Sequence, residues 1–257
     1  MSTLLHYDVH EGNGDPILLL HGFLSSRGQW QANLEGMKKF ATPVTVELFG
    51  HGRTPMPDNP AALHPLAYVE QFEKIRHAIG AGRWYIVGQS FGAGLTLRYA
   101  LEAPEVLYGQ AFCNSNSALE HADGSNKTDR ARTISDILLG GKALTELPIH
   151  PVNAKRLPDA VKAALIADAE TLQADELVRC LKETRVHLSV REKFASLTVP
   201  TLLINGVWEK QFQRTVNFAR HQLDSLEVVN LEGGHAINAE QPDAFNDAIR
   251  SHYIPLL

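Results

Sequence analysis

Ser90 sits between two glycines in Gly88-Gln89-Ser90-Phe91-Gly92, directly after the apolar run Trp84-Tyr85-Ile86-Val87 and before the helical pattern Leu95-Thr96-Leu97-Arg98-Tyr99-Ala100. This order predicts a strand, a sharp turn and a helix, with the serine on the turn of a nucleophile elbow. A serine there takes strained backbone angles, and small residues two positions either side let strand and helix close up. Its hydroxyl is then exposed at a helix N-terminus. The N–H of Phe91 faces any oxyanion formed on attack, and the helix dipole favours negative charge. A Gly/Ser motif of five residues also occurs as an ordinary loop, so the chemistry rests on finding partners.

A serine nucleophile needs a base, and the base needs an orienting acid. Of the twelve histidines, His235 lies in a loop straight after a predicted strand near the C-terminus, Leu231-Glu232-Gly233-Gly234-His235-Ala236, where two glycines let the chain bend. His64, His121, His150 and His221 are expected on the solvated surface. The loop Gly206-Val207-Trp208-Glu209-Lys210-Gln211-Phe212 carries one carboxylate, Glu209, which orients the histidine or else pairs with Lys210 at the surface. The alternative loop, Asn114-Ser115-Asn116-Ser117, offers no acid before Glu120. Serine, acid and histidine follow one another in the order expected for this elbow, each at the carboxyl end of a strand.

The elements that must position these residues alternate. Strands are expected over Leu4 to His10, Ile17 to Leu20, Pro43 to Leu48, Trp84 onward, Gly109 to Asn114, Val199 to Asn205 and Leu226 to Leu231. Helices are expected over Trp30 to Phe40, Pro65 to Ile79, the segment after Ser90, Thr215 to Leu223 and Pro242 to His252. The pattern predicts an α/β fold, a mostly parallel sheet of about seven or eight strands covered by helices. Residues 115–197 have helical periodicity and no strand candidate, with helices over Arg130 to Leu139, Pro158 to Leu172 and Glu176 to Val190. They are expected to form a helical cap on a core made of 1–114 and 198–257.

At 257 residues and 44% hydrophobic composition the chain can bury a large core. A net charge of −5 with scattered Lys and Arg argues against nucleic-acid binding. The N-terminal Met1-Ser2-Thr3-Leu4-Leu5-His6-Tyr7 lacks the pattern of a signal peptide, and no apolar run reaches a membrane span, so a cytoplasmic protein without membrane contact is expected. Cys113 and Cys180 are expected as buried thiols, with no metal or organic cofactor called for. The oligomeric state, monomer or homodimer, stays open.

On His21-Gly22-Phe23, Gly50-His51-Gly52, the Ser90 elbow, the Gly206 to Glu209 loop and Gly234-His235 with Glu240-Gln241-Pro242, the chain resembles the α/β-hydrolase superfamily, serine hydrolase branch. The resemblance implies Ser90 as nucleophile, His235 as base, Glu209 as orienting acid, and an oxyanion hole from the backbone N–H groups of Phe23 and Phe91. It departs from the family where Glu209 stands for the usual aspartate, and where Glu47 and Phe49 replace an Asp and a Pro before Gly50. The C-terminal motifs are also similar to the menaquinone-pathway synthase that eliminates pyruvate, but Gly94 stands where that enzyme has a carboxylate-binding arginine.

The expected function is hydrolysis of a small, mainly apolar carboxylic ester or lactone through an acyl-enzyme on Ser90. A synthase-like lyase or carbon–carbon bond hydrolase using the same residues is the alternative, and a non-catalytic small-molecule receptor the other. Trp208, Phe212 and Trp30 are candidate pocket residues beside Phe23, with core packing the equal alternative for Trp30 and Phe212. Arg130, Arg132 and Arg191 could meet an anionic substrate but are expected on an exposed face.

Overall fold

The short apolar runs become the inner strands of one sheet because each of these is buried from both sides, whereas the two edge strands are only partly covered. The computed structural model describes residues 4–121 and 125–256, and over 125–130 the backbone alone. The strands are β1 (His6–Val9), β2 (Pro16–Leu20), β3 (Thr42–Glu47), β4 (Trp84–Gln89), β5 (Leu107–Cys113), β6 (Thr201–Gly206) and β7 (Glu227–Leu231). Between and after them run α1 (Gln31–Met37), α2 (Pro65–Ala78), α3 (Phe91–Glu102), α4 (Ser125–Leu138), α5 (Asp159–Ala169), α6 (Ala174–Glu183), α7 (Gln213–Gln222), α8 (Ile237–Glu240) and α9 (Pro242–Tyr253). The sheet has seven strands in the order β1-β3-β2-β4-β5-β6-β7. Only β1 is antiparallel, against β3.

Alternate side chains of each inner strand feed two cores. Leu18, Leu20, Trp84, Ile86 and Phe112 face a layer completed by α2, α3 and α7, through Phe72, Leu97 and Val216 among others. Ile17, Leu19, Tyr85, Val87 and Ile204 face the opposite layer, completed by Met37, Phe245 and Ile249 of α1 and α9. Burial on both faces is what makes these strands read as continuous apolar runs.

Among the described residues the stretch between β5 and β6 contains helices and short 3₁₀ turns but no strand. Two small apolar clusters attach it to the sheet's carboxyl edge. In one, Leu24 from the loop after β2 packs with Leu138, Leu177 and Leu181; in the other, Ala236 beside His235 packs with Val152, Leu157, Val161 and Leu165. The long helix expected over Glu176 to Val190 ends early, at Glu183. Thr184 donates its hydroxyl to the Leu63 carbonyl at 2.7 Å, and the chain turns there into a 3₁₀ segment, Arg185–His187.

Both cysteines are buried, as expected, and burial pushes Cys180 up to about 12 and Cys113 higher still. No helix among the described residues is long and apolar enough to cross a membrane.

The loops after β2 and β3 enclose two fully buried histidines. His21 donates from Nδ1 to the Gly22 carbonyl at 2.7 Å and accepts at Nε2 from the Leu48 N–H at 3.1 Å, an arrangement that only the neutral ring satisfies. His51, whose ring lies 5.1 Å from that of His21, meets the Phe49 carbonyl at 2.9 Å. Burial lowers His21 to about 4; burial, reinforced by His21, lowers His51 to about 3. The unfolded chain therefore binds protons, near pH 6.5, that the fold refuses. Stability is full above that pH and is lost as pH falls from about 6.5 toward 4, by roughly 3 kcal/mol for each histidine. Urea unfolding between pH 7.5 and 4.5 should show this loss. His51→Asn, which keeps a donor for the Phe49 carbonyl, should flatten the profile.

Candidate active site

Ser90 ends β4 and opens α3 with φ 53° and ψ −110°. Its own N–H donates to the Cys113 carbonyl at 3.0 Å, tying the turn to the end of β5. The flanking glycines are required by contact: a Cβ on Gly88 would lie 2.4 Å from the Gly92 carbonyl oxygen, and one on Gly92 2.5 Å from that of Leu20. The turn thus presses α3 against β2 and β4, and the Phe91 N–H, first in the helix, has no acceptor within it.

The three residues predicted from widely separated loops come together. Ser90 Oγ lies 3.0 Å from His235 Nε2, and His235 Nδ1 lies 3.0 Å from Glu209 Oε2. A carboxylate at Nδ1 fixes the proton there and leaves Nε2 free to accept from the serine hydroxyl. The longer side chain of Glu209 is accommodated by a tight turn straight after β6, in which the Glu209 N–H donates to the Gly206 carbonyl at 3.1 Å and the Phe212 N–H to the Glu209 carbonyl at 3.0 Å. Gln89 donates to the His235 carbonyl at 2.8 Å, and Glu240 accepts from the Gly234 N–H at 3.0 Å, so the glycine-rich loop is clamped from both ends.

Asn114, buried at the end of β5, is the site residue that sequence reasoning passed over. Its Nδ2 donates to Glu209 Oε2 at 2.6 Å and to the Gly234 carbonyl at 3.2 Å, while its Oδ1 accepts from the Gly206 N–H at 3.0 Å. One amide holds the loops after β5, β6 and β7 together. The signal available was its type: asparagine tolerates the left-handed region that Asn114 occupies, with φ 44°. Leu24 at φ 59° and Ser90 are the other non-glycine residues with positive φ among those described, and all three follow the carboxyl ends of neighbouring strands.

The loop after β2 passes close over Ser90. A Cβ on Gly22 would stand 3.4 Å from Ser90 Cβ, and the Gly22 N–H is held by Gln29 Oε1 at 3.0 Å. Gln29 in turn exchanges hydrogen bonds with Asn238 of α8, at 3.3 and 3.1 Å. Phe23 packs its ring 5.9 Å from that of Phe91.

Two hollows open from Ser90 and His235. One, of about 230 Å³, runs between Phe23, Leu24, Ile134, Ile149 and Leu181 and reaches Arg185. The other, of about 310 Å³, extends past Ser25 and Gln29 to His150 and Leu165. A larger groove of about 920 Å³ lies away from these residues, between α1 and α9 around Lys39, Asp243 and Arg250.

Of the candidate pocket residues, Trp30 and Phe212 take the core alternative. Trp30 is fully buried, its ring 6.0 Å from that of Phe245 in the α1/α9 core layer, and Phe212 is fully buried in the opposite layer. Both are core residues. Trp208 lines neither hollow; it is 42% exposed, with the Arg156 guanidinium 4.0 Å from its ring centre. Arg191 lies over Phe218 and donates to the Leu119 carbonyl, and Arg132 is exposed. The Arg130 side chain lies outside the described residues. His150, expected at the surface, is 2% exposed. No cluster of metal-binding side chains occurs among the described residues.

A profile described as the alpha/beta hydrolase family matches residues 17–248. The chain is 22% identical over 247 residues to a Bacillus subtilis (strain 168) protein provisionally named 2-succinyl-6-hydroxy-2,4-cyclohexadiene-1-carboxylate synthase, covering 91% of this chain and 89% of that one. It is similar in structure to MenH from S. aureus, with a TM-score of 0.83, 16% identity and 98% of each chain covered. It is also similar to the enol-lactonase from Burkholderia xenovorans LB400, with a TM-score of 0.73, 17% identity and coverage of 96% and 95%. At these identities the likeness to both structures is one of fold.

Removing the Asn114 amide strips partners from Glu209, Gly206 and Gly234 at once. Asn114→Ala should cost about 2 to 3 kcal/mol of stability by urea unfolding, the scale for buried groups left unpaired. It should also slow covalent labelling of Ser90 by a serine-directed phosphonate, by roughly tenfold or more if misplacing the carboxylate weakens His235 by about 1.4 kcal/mol.

Proposed function

Because the chain belongs to the alpha/beta hydrolase family, we propose that it is a serine hydrolase acting on a small, mainly apolar carboxylic ester or lactone. The observation that carries this reading is the unbroken relay of two 3.0 Å contacts from Ser90 Oγ through His235 to Glu209. His235 removes the hydroxyl proton as Ser90 Oγ attacks the acyl carbon, and Glu209 stabilises the imidazolium that forms. The N–H groups of Phe23 and Phe91 hold the oxygen that becomes negative. His235 then gives its proton to the departing alkoxide, leaving an acyl group on Ser90. A water, deprotonated by the same imidazole, attacks that acyl carbon; the carbon–Oγ bond breaks, Ser90 regains its proton and the acid leaves. Residues 115–197 act in this reading as the cap that covers the acyl carbon.

Charge argues for a neutral substrate. Arg185, the guanidinium lining the 230 Å³ hollow, is held by Glu120 at 2.7 and 3.0 Å, a two-pronged pair that uses the fork a substrate carboxylate would need. At Gly94 a Cβ would come within 2.3 Å of Leu188 Cγ, so the space is filled by an apolar side chain. A second reading, a pyruvate-eliminating lyase, is favoured by the name of the Bacillus relative and requires carboxylate recognition at this site. Pyruvate release separates the two.

Ser90→Ala should abolish hydrolysis of a short p-nitrophenyl ester and labelling by the phosphonate; labelling that persists in the variant overturns the assignment. Glu209→Gln should lower kcat by about a hundredfold or more with KM little changed, since the carboxylate acts through the histidine. Gly94→Arg should lose about 1 to 3 kcal/mol by overpacking against Leu188, without gaining affinity for a dicarboxylate in a binding assay.

A further inference from the structure

The loop after β2 carries a strained residue whose support comes from across the molecule. Leu24, with φ 59°, holds a left-handed backbone that a leucine keeps only where its surroundings fix it. Its side chain is buried with Leu138, Leu177 and Leu181, all from the stretch between β5 and β6. Two residues on, Ser26 is buried and is held from the same stretch.

Ser26 Oγ donates to Asp168 Oδ2 and accepts from the Gly28 N–H at 3.0 Å, capping the 3₁₀ turn Arg27–Trp30. A carboxylate only accepts, so Asp168 draws the hydroxyl proton to its side and leaves the oxygen's lone pairs to the turn. The turn in turn sets Gln29, whose N–H donates to the Ser26 carbonyl at 3.1 Å and whose Oε1 holds the Gly22 N–H at 3.0 Å. Both ends of the segment from Gly22 to Ser26 are thereby tied to one turn, with Phe23 between them. Helix α5 lies directly on that turn: a Cβ on Gly28 would stand 3.1 Å from both Ala164 Cβ and Asp168 Oδ2. Helix stability does not account for this carboxylate. Asp168 is the next-to-last residue of α5, where the free carbonyls disfavour negative charge.

We propose that Asp168 is a positioning residue for the oxyanion loop: by holding Ser26, it keeps Leu24 in its strained form and the Phe23 N–H in place for the charge that develops at Ser90. The inference rests on the serine hydrolase reading above. Without the contact the segment from Phe23 to Ser26 is free to relax, and the turn that fixes Gly22 through Gln29 loosens with it. The helical stretch then contributes to the chemistry by docking, through a residue that lines neither hollow.

Kinetics on a short p-nitrophenyl ester test it. Asp168→Ala should lower kcat roughly tenfold with KM within about threefold, a smaller loss than the hundredfold or more that deleting an oxyanion donor costs. A trifluoromethyl ketone reads the oxyanion directly: Ser90 Oγ adds to its carbonyl carbon, the hydroxyl proton passes to His235 and the ketone oxygen takes the negative charge. Its inhibition should weaken by the same factor as kcat/KM. Asp168→Asn, which still accepts from Ser26, should recover most of the rate. Ser26→Ala, which also removes the acceptor for the Gly28 N–H, should be at least as slow as Asp168→Ala, and combining the two should slow the enzyme no further. An unchanged kcat in Asp168→Ala, a ketone affinity that does not follow kcat/KM, or losses that multiply in the double variant overturns the assignment. If urea unfolding shows that Asp168→Ala does not fold, Ser26→Ala is judged by the same kcat, KM and ketone criteria. Phosphonate labelling keeps the two failures apart. An unlabelled wild type removes the serine hydrolase reading itself, whereas a labelled wild type with an unchanged kcat in the variants removes the role of Asp168 alone.

Discussion

The backbone of Ser90 is the constraint on which the rest of the site depends. A non-glycine residue at φ 53° and ψ −110° is strained by about 1 to 3 kcal/mol and persists only where its surroundings leave no alternative. Here they leave none: the residue is pinned between β4 and α3, its N–H is bound to the end of β5, and the glycines two residues away are in contact with backbone on both sides. The sheet supplies the rigidity. Its inner strands are buried in two apolar layers, and relaxing the turn would mean displacing α3 from the layer it shares with α2 and α7.

Around this fixed point the other loops are held by side-chain amides. Asn114 joins the loops after β5, β6 and β7, Gln89 holds the His235 backbone, and Gln29 with Asn238 connects the loop after β2 to α8. An amide suits the task because it donates and accepts from one rigid plane and carries no charge to titrate or to compete with Glu209 for His235. The arrangement keeps a single carboxylate facing the imidazole. It also explains how a glutamate serves at a position where one fewer methylene is usual, since its Oε2 is anchored by Asn114 on one side and by His235 on the other.

The helical stretch between β5 and β6 joins the site through Leu24 and Ala236, neighbours in sequence of Phe23 and His235. Any movement of that stretch would be felt first at the two loops that flank Ser90. The space above the serine has two arms, one lined by Leu24, Ile134 and Leu181 together with Asn116, Ser117 and Arg185, the other reaching Leu157 and Leu165.

Sequence alone determined the α/β order of elements, the elbow, and the identity of the three side chains that meet over it, because strand burial leaves apolar runs and the elbow demands glycines at set spacings. Those signals are local. Tertiary structure decided everything that depends on which way a side chain faces. Trp30 and Phe212 sit near the right loops in the chain but face the core, and His150 looks like a loop histidine but is enclosed by its own segment. Asn114 carries no signal in its neighbours, since its partners lie about a hundred residues downstream: Gly206, Glu209 and Gly234. Contacts between the ends of different strands are created by the sheet order, and that order places β4 beside β5 and β5 beside β6 across an insertion that no local pattern spans.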